Sequence, residues 1–149
     1  ARNKIKGFNI TTDIIVGFPG ETNEEWEKSL EFIKEIGFSH IHIFMYSTRE
    51  GTKASAFANQ VETSIKKQRS KELHKLTKLM RKKILNNEIG KEYFVLWESK
   101  DKDHNWAGYT DNYIKVILRN DKQNFKNKIS KIKITSVSTD LNHCIAELM

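Results

Sequence analysis

Cysteine is almost missing from this sequence: Cys144 is the only one in 149 residues. A single thiol excludes an intramolecular disulfide and any metal site built from several cysteines of this chain, and it suits a reducing, cytoplasmic setting. No apolar run approaches the roughly 20 residues of a membrane-spanning helix, and no signal peptide opens the chain. Proline is equally scarce, with Pro19 alone. An apolar strand pattern starts only a few residues after Ala1, so a piece of a longer protein is expected.

What is present is charge, unevenly spread. The net charge is +7, and the 38% hydrophobic and 30% charged content fits a globular protein with room for one domain or two small ones. Residues 1–60 are close to neutral and residues 90–149 only slightly positive, whereas 61–89 hold nine basic residues against three acidic. A polyanion near that segment is one reading of the excess.

Pro19 sits in TDIIVGFPGE, where Ile14, Ile15 and Val16 run into Gly17, Pro19 and Gly20. A short apolar run ending in Gly-Pro-Gly predicts a buried parallel strand, a loop and then a helix. Ligands of α/β folds bind at such strand ends, where glycine lets them approach the backbone. Thr22 and Glu25 have capping-box spacing, so a helix is expected from Asn23, with Trp26, Leu30 and Ile33 on one face and Gly37 as its stop. A second strand follows, with Ile41, Ile43 and Met45 on one side and His42, Phe44 and Tyr46 on the other. Together these make a right-handed βαβ unit. Two strands alone leave edges and faces uncovered, which predicts self-association or poor order.

Residues 63–88 contain neither glycine nor proline and predict one long helix. Leu73, Leu76, Met80 and Ile84 form an apolar stripe, and Lys71, Lys75, Lys78 and Lys82 lie nearly opposite. That lysine stripe is either an ordinary solvated face or a phosphate-facing surface. From Gly90 onward the pattern turns to β. Runs at 93–98, 106–109, 112–118, 129–137 and 144–148, separated by polar turns at 100–105 and 120–127, predict a small closed barrel of OB-like type. The expected organisation is α/β plus all-β, with segments 1–60, 61–89 and 90–149.

TTDIIVGFPGET, followed by HIHIFMYSTREGTKA and Gln60-Val61, resembles the radical-SAM methylthiotransferases. IGKEYFVLWE and GYTDNYIKV resemble the TRAM domain that closes those enzymes. The HIHIF and YSTREGT wording is most similar to the branch that methylthiolates threonylcarbamoyladenosine beside the tRNA anticodon. The resemblance implies a partial radical-SAM barrel, made here of the βαβ unit and long helix, followed by a five-stranded TRAM barrel. It also implies S-adenosylmethionine and two [4Fe–4S] clusters as cofactors of the whole enzyme, and tRNA as partner. The CxxxCxxC loop that holds a cluster in that family is absent, so this chain resembles a C-terminal third. Without the N-terminal domains it is expected to be inactive, with no catalytic residue and no metal ligand of its own.

Carried over by motif, Gly17, Phe18, Pro19, Gly20 and Glu21 would line the S-adenosylmethionine pocket, with Tyr46, Ser47 and Arg49 on the facing loop. Asp13, mid-strand, where an unpaired carboxylate would be costly, either bonds that ligand or takes a backbone or arginine partner. An ordinary strand-to-helix turn is the plainer reading of the glycines. Arg49 suits a carboxylate or phosphate, but it could equally pair with Glu50 or Glu21. At Thr48 the sequence departs from the pattern the resemblance implies, which has proline there. His40 and His42 fall on one strand face, where lining a substrate fits better than binding metal, since further ligands are lacking. Tyr109, Asn112, Tyr113 and Lys115 combine aromatic, amide and basic groups as RNA-holding barrels do. The alternative is that Tyr113 and Trp106 fill the barrel core, which is the preferred reading for Trp106, and Cys144 is expected there as well. The rival reading is a free-standing RNA-binding module with no enzymatic activity.

Overall fold

The computed structural model describes residues 4, 5, 7–119 and 123–149. They divide into two compact units, one of Ile10–Met80 and one of Arg81–Met149 with described residues before Ile10.

In the first unit, β1 (Thr11–Val16) and β2 (His40–Met45) pair in parallel, with Thr12 opposite Ile41, Asp13 opposite His42 and Val16 opposite Met45. Between them runs α1 (Asn23–Ile36). Its start is fixed locally: the Thr22 hydroxyl accepts from the Glu25 amide at 3.2 Å, while the Glu25 carboxylate accepts from the Thr22 amide at 2.8 Å. Its end is fixed by Gly37 in the left-handed region at φ 64°, whose amide donates to the Ile33 carbonyl. Trp26, Leu30 and Ile33 are buried against Val16 and Ile41, and Leu73 completes this core. Leu73 belongs to α2 (Thr63–Asn86), so the long helix covers the face that two strands and α1 would leave half open. The other face of the sheet stays exposed, with Ile15 and Phe44 each 53% accessible. A short 3₁₀ turn at Lys53–Ala56 follows β2 and was not foreseen from the sequence.

The second unit is a closed barrel of β3 (Glu92–Lys100), β4 (Trp106–Thr110), β5 (Lys115–Leu118), β6 (Ile129–Val137) and β7 (Cys144–Leu148), in the order β3-β4-β5-β7-β6. All neighbours are antiparallel except β5 and β7, and the closed five-stranded barrel is of the expected OB-like type. Alternation does the folding: Val95, Trp97, Ile132 and Ile134 point inward and are fully buried, while Phe94, Leu96, Lys131 and Lys133 point out. Leu85 from the last turns of α2 joins this core. Trp106 and Cys144 are buried in it, as their sequence context suggested. The strand expected at 112–118 begins only at Lys115, because Thr110–Tyr113 form a turn with Tyr113 at φ 62°. Of the turn expected at 120–127, residues 120–122 lie outside the described residues.

Candidate functional site

The ends of β1 and β2 bring the two singled-out loops together. The Tyr46 amide donates to the Val16 carbonyl at 2.9 Å, continuing the sheet by one bond. Gly17 follows at φ 70° and Gly20 at φ 90°, both in the region that favours glycine. The Phe18 ring meets Tyr46 edge-on at 5.3 Å between centroids and Phe57 at 6.3 Å. Phe18 and Phe57 remain 42% and 47% exposed, so these rings form an accessible aromatic wall. The Tyr46 hydroxyl is buried and has no hydrogen-bond partner among the described residues.

Glu21 is tied down. Its carboxylate accepts from the Gly17 amide at 2.7 Å and from Arg69 Nη1 at 2.5 Å, and Arg69 also reaches the Glu21 carbonyl and the Asn23 side chain. Arg69 is 4% exposed and stacks towards the Trp26 ring, 5.9 Å from its centroid. Glu21 therefore holds the shape of the glycine turn. A groove of about 610 Å³ opens beside it, lined by Gly20, Asn59, Gln60, Val61 and Arg69 among others. The Gly20 amide donates across to the Asn59 carbonyl at 2.7 Å.

The remaining residues of the loop pair divide clearly. Ser47 and Arg49 are exposed, and Arg49 pairs with neither Glu50 nor Glu21, the latter being taken by Arg69. Pro19 is buried. Asp13 is exposed on the open sheet face beside His42, so its carboxylate carries no burial cost. The His40 and His42 rings meet edge-on at 4.5 Å on that face. No group of three or more His, Cys, Asp or Glu residues able to hold a metal occurs among the described residues.

Sequence reasoning missed Arg69 and Lys66. The signal for Arg69 was a charge four residues before Leu73, on the apolar stripe of α2, where an unpaired cation would be costly. Lys66 crosses the back of Gly17. A Cβ at position 17 would lie 2.4 Å from Lys66 Cγ. Its ammonium is 3.3 Å from the Tyr46 carbonyl and 5.0 Å from the centroid of the Tyr46 ring.

On the long helix, Lys71, Lys75, Lys78 and Lys82 are all exposed, and none forms an ion pair among the described residues. On the barrel, Tyr113 is 85% exposed and Tyr109 36%, with ring centroids 6.3 Å apart and Lys115 exposed on the adjoining strand. Tyr113 is thus no part of the barrel core. Asn112 has another occupation. Its side-chain amide donates to the Gly7 carbonyl at 3.2 Å and accepts from the Thr110 hydroxyl at 2.6 Å, while Asn9 donates to its backbone carbonyl. Phe94, Leu96 and Ile129, which the sequence reading did not single out, are exposed on the same register row or one step from it. Behind them Glu88 is 8% exposed and accepts from the Tyr93 hydroxyl and from Lys91, and burial with that carboxylate pushes the Tyr93 phenol above its ordinary range.

No protein-family model matches the chain. Individual proteins do. The chain is 35% identical over 94% of its length to the threonylcarbamoyladenosine tRNA methylthiotransferase MtaB of Bacillus subtilis, covering 33% of that protein. It is 41% identical over 93% of its length to a probable threonylcarbamoyladenosine tRNA methylthiotransferase of Methanocaldococcus jannaschii, covering 30% of it. A tRNA-2-methylthio-N(6)-dimethylallyladenosine synthase of Carboxydothermus hydrogenoformans is 35% identical over 90% of the chain and 31% of its own length. The chain spans about a third of the length of these relatives. Over that third, the chain is similar to proteins named as tRNA methylthiotransferases.

Proposed function

We propose that this chain is the C-terminal portion of a radical-SAM tRNA methylthiotransferase acting on threonylcarbamoyladenosine, with residues 1–60 in the partial barrel, 61–89 as connecting helix and 90–149 as TRAM domain. The observation that carries this reading is identity of 35–41% over more than nine-tenths of the chain to proteins named for that reaction. The exposed outer face of the two-stranded sheet, with Ile15 and Phe44 each 53% accessible, supports a barrel that further strands complete.

S-adenosylmethionine would supply the radical and the methyl group, and [4Fe–4S] clusters the electron and sulfur chemistry. The loop pair fits the first of these. The bare backbone of Gly17 and Gly20 admits close approach, Phe18 and Phe57 offer exposed rings to a nucleoside, and the Tyr46 hydroxyl has a bond left to make. A cluster does not fit this chain. Its one thiol, Cys144, is fully buried in the barrel. In the RNA-holding part, Tyr109 and Tyr113 would stack unpaired bases, with Lys115 and the lysines of α2 contacting phosphates. Asn112 would act by holding the turn that presents Tyr113.

The test is made on the organism. Reading upstream of the Ala1 codon should reveal an in-frame CxxxCxxC. Deleting the gene should remove the methylthio form of threonylcarbamoyladenosine from tRNA hydrolysates analysed by mass spectrometry. Unchanged levels would overturn the reading. Loss of methylthio-isopentenyladenosine instead would move the protein to the other branch.

A further inference from the structure

Lys66 lies across both loops, and the motifs carry over no role to it. Its stem rests on Gly17, and its ammonium sits beside the carbonyl and ring of Tyr46, past the ends of both parallel strands. The side chain is half-buried, which limits water's share in solvating the charge. No ion pair with Lys66 occurs among the described residues, and the motif carboxylate Glu21 is bound to Arg69 and the Gly17 amide. An ammonium carries three donors, and one carbonyl bond leaves others free. The first turn of α2 holds no acidic residue to take them.

A half-buried, fixed cation with spare donors over the Tyr46 ring, itself edge-on to the exposed Phe18, which in turn meets the exposed Phe57, suits a ligand with an anionic oxygen at one end and an aromatic ring at the other. We infer that Lys66 binds the carboxylate of the amino-acid end of an adenosyl-amino-acid ligand, S-adenosylmethionine, whose nucleoside end lies against Phe18 and Phe57. This rests on the S-adenosylmethionine reading of the loop pair. It gives Gly17 a second reason to be glycine, because any Cβ would displace the Lys66 stem.

Two neutral probes separate the ends of the ligand. S-adenosylhomocysteine carries the amino acid, and 5′-methylthioadenosine has the same nucleoside thioether without it. Their affinities are to be measured by calorimetry on the full protein that carries this sequence, with Lys66→Met, which keeps the stem on Gly17, and Lys66→Arg. Lys66→Met should weaken S-adenosylhomocysteine by about tenfold or more and leave 5′-methylthioadenosine unchanged, and Lys66→Arg should recover much of the loss. Equal loss for both probes, or loss for neither, would overturn the assignment while leaving the pocket in place. If the unaltered protein binds neither probe, the pocket reading itself falls, and the assignment of Lys66 with it.

Discussion

Arg69 and Glu21 form a buried ion pair, with Nη1 2.5 Å from the carboxylate and the two side chains only 5% and 16% exposed. The same carboxylate oxygen holds the Gly17 amide, so one guanidinium fixes the glycine turn from behind. Arg69→Met would leave the part-buried Glu21 carboxylate without its cation. Losing one partner of such a pair costs about 3–5 kcal/mol. Urea unfolding of the variant should show a loss of that order, and Arg69→Met combined with Glu21→Gln should regain much of it. A loss below about 1 kcal/mol would place the pair with solvent-screened surface bridges.

Gly108 on β4 is required for space, not for backbone freedom. A Cβ there would fall 2.3 Å from the Leu96 carbonyl oxygen and 2.7 Å from Val95 Cγ1, and the first of these is backbone that cannot swing aside. Gly108→Ala should therefore destabilise the barrel by about 1–3 kcal/mol or more. Gly51→Ala is the contrast, since nothing lies within 4 Å and only its positive φ is at stake. There the expected cost is about 1–2 kcal/mol. Thermal unfolding of the two variants checks the order.

Thr22, Glu25 and Gly37 were legible because caps are made by residues three or four apart, and the alternation of Lys131, Ile132, Lys133 and Ile134 named a strand for the same local reason. The parallel pairing of β5 with β7 was not legible, since it joins Val116 to Cys144 across an intervening strand. Nor was the partner of Glu21. Its cation lies 48 residues away on another helix, and the nearer Arg49 was the candidate that sequence distance suggested. Leu73 was assigned correctly to an apolar stripe, but what that stripe covers became visible only once α2 lay on the βαβ unit. The site was readable as glycines and loops, and unreadable where distant residues hold them.

Cys144 gives a pH-dependent prediction. Burial, with Glu88 adding to it, pushes the thiol from an ordinary value of 9.0 up to about 11. The folded state therefore keeps its proton where the unfolded state has lost it. This contribution to stability is complete below pH 9 and is lost progressively as pH rises towards 11. Denaturation midpoints should fall across that window, and Cys144→Ala should flatten the part due to the thiol. A thiol-specific disulfide reagent at pH 8 should leave the native protein unmodified and titrate one thiol in urea. Rapid labelling of the native protein would contradict the burial.

Asn112 and Tyr113 are adjacent but should fail differently. Asn112 spends its side chain on Gly7 and Thr110, whereas Tyr113 is 85% exposed at φ 62° and its ring meets only Tyr109 among the described residues. Asn112→Ala should lower stability by about 1 kcal/mol per lost hydrogen bond. Tyr113→Ala should leave the unfolding midpoint almost unchanged, because an exposed ring contributes little burial. On a single-stranded RNA the order reverses. Tyr113→Ala should weaken binding by about 1–3 kcal/mol, the worth of one stacked base, without changing the salt dependence. Lys115→Ala should reduce the salt slope instead. Fluorescence anisotropy at several salt concentrations, alongside unfolding curves, separates the three. If Tyr113→Ala binds RNA as the parent does, the exposed tyrosine pair is not a base-stacking surface.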